Sequence, residues 1–298
     1  MNKPIKSYKA FDKKMQCRGF QYEVGKEYDM DGDIQCCKRG FHACESPMEV
    51  WDYYDMLTSR FAEVEQSGKI STGRHPTKIC SSHIKIKAEL KLADIINIGV
   101  EWLKNLTSPY KGDAEGNYAK IGFSGNYVKI GSSGDYAQIG SSGNNVKIGS
   151  SGDCVKIGSS GIEAKIGSSG GYAQICSSGD YAQIGSSGRY SQIGSSGDYA
   201  QIGSSGEMAQ VSSSGFNAKI DSTGENSVIM CSGLGCVAKA KIGSWITLAE
   251  WERDDRKGCL VPVCVKTERV DGIKIKPDTW YKLQDGEFVE VKKVTVNR

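Results

Sequence analysis

From about Ala114 to about Cys231 the chain repeats itself every nine residues without a single insertion, and no other feature restricts its fold as tightly. Written in nines the block runs KIGFSGNYV, KIGSSGDYA, QIGSSGNNV, KIGSSGDCV and onward to KIDSTGENS. Ile121 recurs at positions 130, 139, 148, 157, 166, 175, 184, 193 and 202, and Val211, Ile220 and Ile229 keep the place, thirteen apolar residues in one register. A turn glycine holds the same period from Gly116 to Gly233, and a small residue stands two before each isoleucine (Ala119, Val128, Ala137, Val146).

Residues two apart on a strand share a face, so Ala/Val and Ile point inward while Tyr and Lys/Gln point outward. The unit Tyr-Ala-Gln-Ile-Gly is expected to be the strand and Ser-Ser-Gly-Asp the turn, with glycine supplying the unusual backbone angles. One unit buries nothing alone; stacked units bury a continuous Ile/Ala column, which is a β-solenoid. A helix would scatter successive isoleucines over different faces and meet Gly and Ser in every turn. A disordered linker would not hold β-branched residues in register. Two nines per coil give a flattened, two-sided solenoid about 30 Å long at ~4.8 Å per stacked strand; three give a shorter triangular prism. The Lys/Gln position shows no alternation that selects between them.

The outward positions are the candidate binding surface. Tyr118, Tyr127, Tyr136, Tyr172, Tyr181, Tyr190 and Tyr199 share one phase, and Lys120, Lys129, Gln138, Lys147, Gln174 and Gln183 share the next. Such ladders can engage a partner or let copies pack side by side; the plainer alternative is that they only stabilise stacked strands. Calcium rolls use G-G-x-G-x-D, whereas here the Asp comes one place early and in a few units (Asp135, Asp153, Asp180, Asp198). Ice binding wants threonine arrays and double-helix mimicry wants acid; the block offers neither.

Composition narrows the rest. The chain has 298 residues, 24% charged, 38% hydrophobic, with a net charge of +3, too mild to imply nucleic acid without a basic stripe. The opening MNKPIKSYKAFDKK lacks the apolar run of a secretion signal, and no stretch reaches the ~18 apolar residues of a membrane span. Eleven scattered cysteines, an odd number, are then expected as reduced thiols in a cytoplasm.

The expected organisation is mainly β: an α+β domain over 1–110, the solenoid over 111–240 and a small β meander over 241–298. In the first part, Ser46-Pro47-Met48-Glu49 reads as a helix start continuing through Val50, Trp51 and Tyr53–Tyr54. Phe61–Glu65 and Ile79–Leu90 alternate as strands, and Leu92, Ile95, Ile96, Val100, Leu103 and Leu106 have helical spacing. That last helix precedes the link Tyr110–Asp113 and is placed to cap the solenoid's open end. Cys17, Cys36, Cys37, His42 and Cys44 raise the question of zinc, but their spacing is not that of paired C-x-x-C knuckles, and buried free thiols are the commoner fate; no metal site is assigned. In the last part, Trp245–Trp251 and Cys259–Thr267 read as strands, and Asp271-Gly272 and Asp285-Gly286 as hairpin turns. The meander is expected to cap the solenoid's far edge, with Trp280, Tyr281 and Phe288 available for an oligomer or ligand contact.

Two resemblances bear on function. The run KRGFHACESPMEVWDYY (38–54), followed by FAEVE (61–65), resembles the core of ADP-ribosyltransferases of the poly-ADP-ribose polymerase type. That resemblance implies NAD as cofactor, His42 and Tyr53 stacking on nicotinamide, and Glu89 as the candidate catalytic carboxylate. It lacks His-Gly-Thr near the first strand; Ser7-Tyr8-Lys9 stands there instead. Across nearly the whole chain, YKAFDKKMQCRGFQYEVGKEY (8–28), CKRGFHAC (37–44), KICSSHIKI (78–86), the GSSGDYAQI repeats and DGIKIKPDTWYKLQDGEFVEV (271–291) are similar to an uncharacterised family common in bacteriophage genomes. This implies a phage origin. The leading expectation is a cytoplasmic, non-enzymatic binding or scaffold protein whose solenoid engages a host protein or its own copies, with inhibition of host defence as a natural role. An ADP-ribosyltransferase with the solenoid as targeting arm and a virion fibre component are the alternatives.

Overall fold

A computed structural model describes residues 3–72, 77–107 and 116–292. The chain divides into two compact units, Met1–Trp102 and Leu103–Arg298.

The first unit is β-rich. Its strands are β1 (Ile5–Phe11), β2 (Glu27–Asp29), β3 (Phe41–Cys44), β4 (Arg60–Thr72) and β5 (Lys78–Leu90). They form one antiparallel sheet in the order β2-β5-β3-β1-β4. β4 also pairs with β5, so the sheet curls back on itself and its two longest strands have few free edges. Phe11, Met15, Tyr22, Phe41, Ala43, Ala62, Val64, Ile84 and Ile86 fill one core.

The helix expected after Ser46 is only a six-residue 3-10 turn, Pro47–Asp52. Ser46 sits at its N-cap without donating or accepting a capping bond, and Val50 and Trp51 are poor helix formers. Asp55 then ends it, because its Oδ1 accepts the amides of Leu57 and Thr58 at 3.0 and 2.9 Å. Glu49 is buried there and takes a hydrogen bond from the Thr77 hydroxyl. The long helix is present as α1 (Leu92–Thr107), and its Gly99 lies so close to Met48 that a Cβ would meet Met48 Cγ at 2.8 Å. The side chain of Leu106 and the link Tyr110–Asp113 lie outside the described residues.

In the second unit, four-residue strands recur every nine residues from Lys120–Phe123 to Val237–Ala240. Each pairs in parallel with the strands eighteen residues before and after it, as Ile139 does with Ile121 and Ile157. Two nines therefore make one coil, and the solenoid is two-sided. Strands starting at Lys120, Gln138, Lys156, Gln174, Gln192, Gln210 and Val228 form the first sheet; those starting at Lys129, Lys147, Lys165, Gln183, Gln201, Lys219 and Val237 form the second. Between them lies the Ile/Ala/Val core the period demanded. A fully buried isoleucine contributes about 1.5–3 kcal/mol, so the column is the main apolar term.

Two details of the unit differ from expectation. The strand is Lys/Gln-Ile-Gly-Ser, two places further along, and the Tyr-Ala pair belongs to the turn. The unusual backbone angle also falls on another residue. The tyrosine phase holds left-handed φ, from 55° at Tyr172 to 65° at Tyr118, as do Asn145, Cys154, Glu163, Met208, Asn217 and Asn226 in the same phase. That conformation costs a non-glycine residue about 1–2 kcal/mol. It turns the amide toward the next coil: Tyr118 N–H donates to Asp135 O and Tyr181 N–H to Asp198 O, each at 2.8 Å, whereas the strand amides donate backward, as Gln183 does to Ala164.

The turn glycines serve close approach instead. A Cβ on Gly179 would stand 2.0 Å from the Gly161 carbonyl oxygen, and one on Gly161 1.8 Å from that of Gly143. The Asp or Asn after the glycine is also structural: Asp135 Oδ1 accepts the Asp153 amide at 2.9 Å, and Asp180 Oδ1 that of Asp198 at 2.9 Å. The aspartates that invited comparison with calcium rolls thus join adjacent coils.

A third inward column ends the strands from Lys129–Ser132 to Lys219–Ser222 with serine. Among the described residues, the buried hydroxyls of Ser150, Ser168, Ser177 and Ser204 have no hydrogen-bond partner. Ser186 differs, because Ser191 replaces the usual Ala or Val at the start of the next strand and the two hydroxyls meet at 2.8 Å.

The C-terminal meander closes both sheets. The strands Trp245–Asp254 and Cys259–Arg269 form a hairpin on the end of the first sheet, and Tyr281–Gln284 with Glu287–Glu290 one on the second. Asp285 and Gly286, with φ of 53° and 69°, make the second hairpin's turn as expected. Asp271-Gly272 does not join a hairpin. Asp271 Oδ1 accepts the amides of Ile273, Lys274 and Ile275, which lowers its pKa and shapes the crossing from one sheet to the other. Trp280 and Tyr281 are buried and Phe288 packs on the same core, so the aromatics held in reserve for a ligand are packing residues.

Gly179→Ala should lower the unfolding free energy by about 3 kcal/mol or more, whereas Gly158→Ala, on the open outer face, should stay within about 0.5 kcal/mol; denaturant titration of both separates close approach from turn flexibility.

Candidate functional site

Two places combine chemistry-bearing side chains. The first is the solenoid surface. With eighteen residues per coil, positions nine apart fall on opposite narrow edges, so the single tyrosine phase becomes two ladders. Tyr118, Tyr136, Tyr172 and Tyr190 share one edge with Cys154 and Met208; Tyr127, Tyr181 and Tyr199 share the other with Asn145, Glu163 and Asn217. Stacking is pairwise: Tyr118 on Tyr136 at 5.0 Å, Tyr172 on Tyr190 at 4.9 Å and Tyr181 on Tyr199 at 5.0 Å. Tyr127 has Asn145 as its neighbour one coil on and is 75% exposed. Arg189 pairs with Glu207 on the first edge at 2.9 Å.

Between the edges, the outer face of the first sheet is open. Gln138, Lys156, Gln174, Gln192 and Gln210 are exposed along one column, and Gly122, Gly140, Gly158 and Cys176 along the next. From Gly122 to Gly194 the second column is glycine except at Cys176, so little projects from that part of the face. At the C-terminal end it turns apolar, with Val228, Met230 and Trp245 about half exposed.

The second place is in the N-terminal unit, where Lys9 on β1 is buried and, among the described residues, no carboxylate pairs with it. Its Nζ donates to the His42 carbonyl oxygen at 2.8 Å, lies 3.6 Å from Cys17 Sγ and sits over the rings of Tyr22 and Phe11 at 5.4 and 5.6 Å. Desolvation lowers its pKa against the opposing pull of Cys17. Tyr54 donates its hydroxyl to the same Cys17 sulfur at 2.8 Å.

His42 is adjacent. Its Nε2 accepts the Cys37 amide at 2.8 Å, which requires that nitrogen to be unprotonated. Burial, then the charges of Lys9, Lys78 and Arg18, bring its pKa down to about 4. Lys78 lies 4.1 Å from the centre of the Tyr53 ring, and burial first of all raises that tyrosine's pKa. Cys36 and Cys37 place their sulfurs 3.9 Å apart. Among the described residues no three His, Cys, Asp or Glu side chains converge as a metal site.

The structure brings His42 and Tyr53 to one neighbourhood through Lys78. His42 pairs across strands with Cys80, and Glu89 stands nine residues further along β5; closure of the sheet brings that end round, because Glu89 pairs with Ala62 on β4 and Ala62 with Lys9 on β1. There Glu89 is held by Arg60 in a two-pronged ion pair, 2.6 Å on each arm, which lowers its pKa. The residue missed in the sequence is Lys9; its signal was its place between Ser7 and Phe11 on the buried side of an alternating strand.

Residues 5–98 match a family model described as a domain of unknown function (DUF7666). No curated protein and no solved structure matches the chain. No helix among the described residues is long and apolar enough to cross a membrane.

Because His42 folds with a pKa of about 4 instead of its ordinary 6.5, the unfolded chain binds the extra proton between those values, so its contribution to stability is complete above pH 6.5 and lost as pH falls toward 4. His42→Gln should flatten that acid limb in denaturant titrations. Lys9 adds a slope on the alkaline side, where stability rises with pH up to its ordinary 10.5, and Lys9→Met should remove it.

Proposed function

We propose that this is a binding protein of bacteriophage origin that works in the host cytoplasm, holding a host protein against the open face of its first solenoid sheet, and that inhibition of a host defence is its role. The observation that supports this reading most is that face: rigid, flat, repeated and exposed from Gly122 to Gln210. The phage assignment rests on the sequence resemblance alone, and the cytoplasmic one on the cysteine usage.

Magnitudes say how a partner must engage. Seven strands at ~4.8 Å by four residues at ~3.3 Å make a face of roughly 400 Å², about half of what one side of a standard interface buries. A partner that binds stably must therefore reach around an edge, where the tyrosine pairs supply aromatic area of the kind interfaces favour. The transferase alternative draws less support, because the Glu89 carboxylate is held by Arg60 in an exposed ion pair.

The test is capture from host lysate by the tagged full chain, read by mass spectrometry. Gly158→Arg adds bulk and charge in the centre of the face without a clash in the fold, and should abolish capture of a specific host protein; Tyr172→Ala with Tyr190→Ala should weaken it about tenfold or more. A monomeric wild type that captures nothing, or a partner retained undiminished by Gly158→Arg, overturns the proposal; a second copy as the captured species moves the face to self-association.

A further inference from the structure

The corner between Ser186 and Ser191 shows which inward side chains touch across a turn: the residue ending one strand and the residue opening the next, at 2.8 Å between hydroxyls. Five repeats further on, those same two positions are Cys231 and Cys236. Elsewhere in the repeat the first position is almost always serine and the second Ala, Val or Ser, so two separate exchanges to cysteine fall on the two halves of one contact. Both thiols are buried, 0% and 5% exposed. Cys231 Sγ lies 3.7 Å from Ala218 O and Cys236 Sγ 3.3 Å from Gly215 O. The repeat's other cysteines, Cys154 and Cys176, stand at outward positions, on an edge and on the open face.

We propose that Cys231 and Cys236 are a redox pair that closes into a disulfide when the protein meets a small peroxide. A disulfide needs side chains that reach each other across a short gap, and the 2.8 Å between the Ser186 and Ser191 hydroxyls shows that these two positions do. Hydrogen peroxide is compact enough to reach a nearly buried sulfur. Cys236 reacts first, since the neighbouring Cys231 side chain lowers its pKa while burial raises that of Cys231. Its thiolate attacks one peroxide oxygen, the O–O bond breaks, and Cys236 becomes a sulfenic acid as hydroxide leaves and takes up the thiol proton to become water. The Cys231 sulfur then attacks the Cys236 sulfur; the S–S bond forms, the S–O bond breaks, and the departing hydroxide takes the Cys231 proton. Two thiols and one hydrogen peroxide give one disulfide and two waters. The bond ties the last four-residue strand of the first sheet, Val228–Cys231, to that of the second, Val237–Ala240, at the end of the rod where both hairpins attach.

The reduced full chain is exposed to hydrogen peroxide, quenched, alkylated in denaturant and cut with trypsin. Cleavage after Lys219 and Lys239 leaves both cysteines in one fragment. The expected fragment is two hydrogens lighter than the reduced form and unalkylated; dithiothreitol restores double alkylation. The oxidised chain should melt higher than the reduced one, and Cys231→Ser, which restores the repeat's own residue, should fold and show neither effect. A fragment still doubly alkylated after the exposed Cys37 and Cys259 have been oxidised, or a bond from either thiol to a different cysteine, overturns the proposal.

Discussion

The second unit depends on how closely successive coils lie at the turn. The backbone of each coil there rests against the carbonyl of the coil before it, at a separation that leaves no room for a Cβ on the following glycine. That contact sets the direction of the neighbouring groups. It aligns the Asp and Asn side chains with the amides one coil on. It also puts the following residue into the left-handed region, where its amide points forward while the strand amides point back. Each coil is thus bonded to its neighbours in both directions, which offsets the ~1–2 kcal/mol of unfavourable φ that each unit stores.

This also explains what was legible in the sequence. Period, inward phase and solenoid class follow from Ile121 and its successors, since a buried column tolerates no slip in register. The number of faces did not, because the two halves of a coil have nearly the same residues: Lys120 and Lys129 open opposite sheets and look alike. The reason for the glycine was misread for a related cause. A glycine required for close approach and one required for positive φ are the same letter, and only the position of φ on Tyr118, Tyr127 and their successors tells them apart. In the first unit the alternation of Lys78–Leu90 and the 3.6-residue spacing after Leu92 were plain. Pro47–Asp52 was not, because a helix-start motif says nothing about how soon Asp55 will end the turn.

The N-terminal neighbourhood around Lys9 illustrates a different limit. His42 and Tyr53 could be named from a resemblance, but which groups surround them depends on the long bent strands that close the sheet. Closure brings Lys9, Cys17, Tyr54 and Lys78 to the same end and sets Glu89 two strands from Lys9, across Ala62. A buried ammonium with a single oxygen acceptor, its other contacts being a sulfur and two ring faces, is an expensive element for a small domain. It marks this end of the sheet as the part where the stability of the unit and its protonation state are coupled.

The two-sided coil has an arithmetic consequence. Every unit sends the chain to the opposite sheet, so adding or losing one nonapeptide reverses the assignment of all that follow. The glutamine face would continue as its opposite, and the two terminal hairpins, each shaped for its own sheet, would arrive on exchanged partners. Adding or losing two leaves every downstream residue where it was, one coil higher or lower. The rod can therefore change length only by an even number of units, and its parity is as much a part of its design as its sequence.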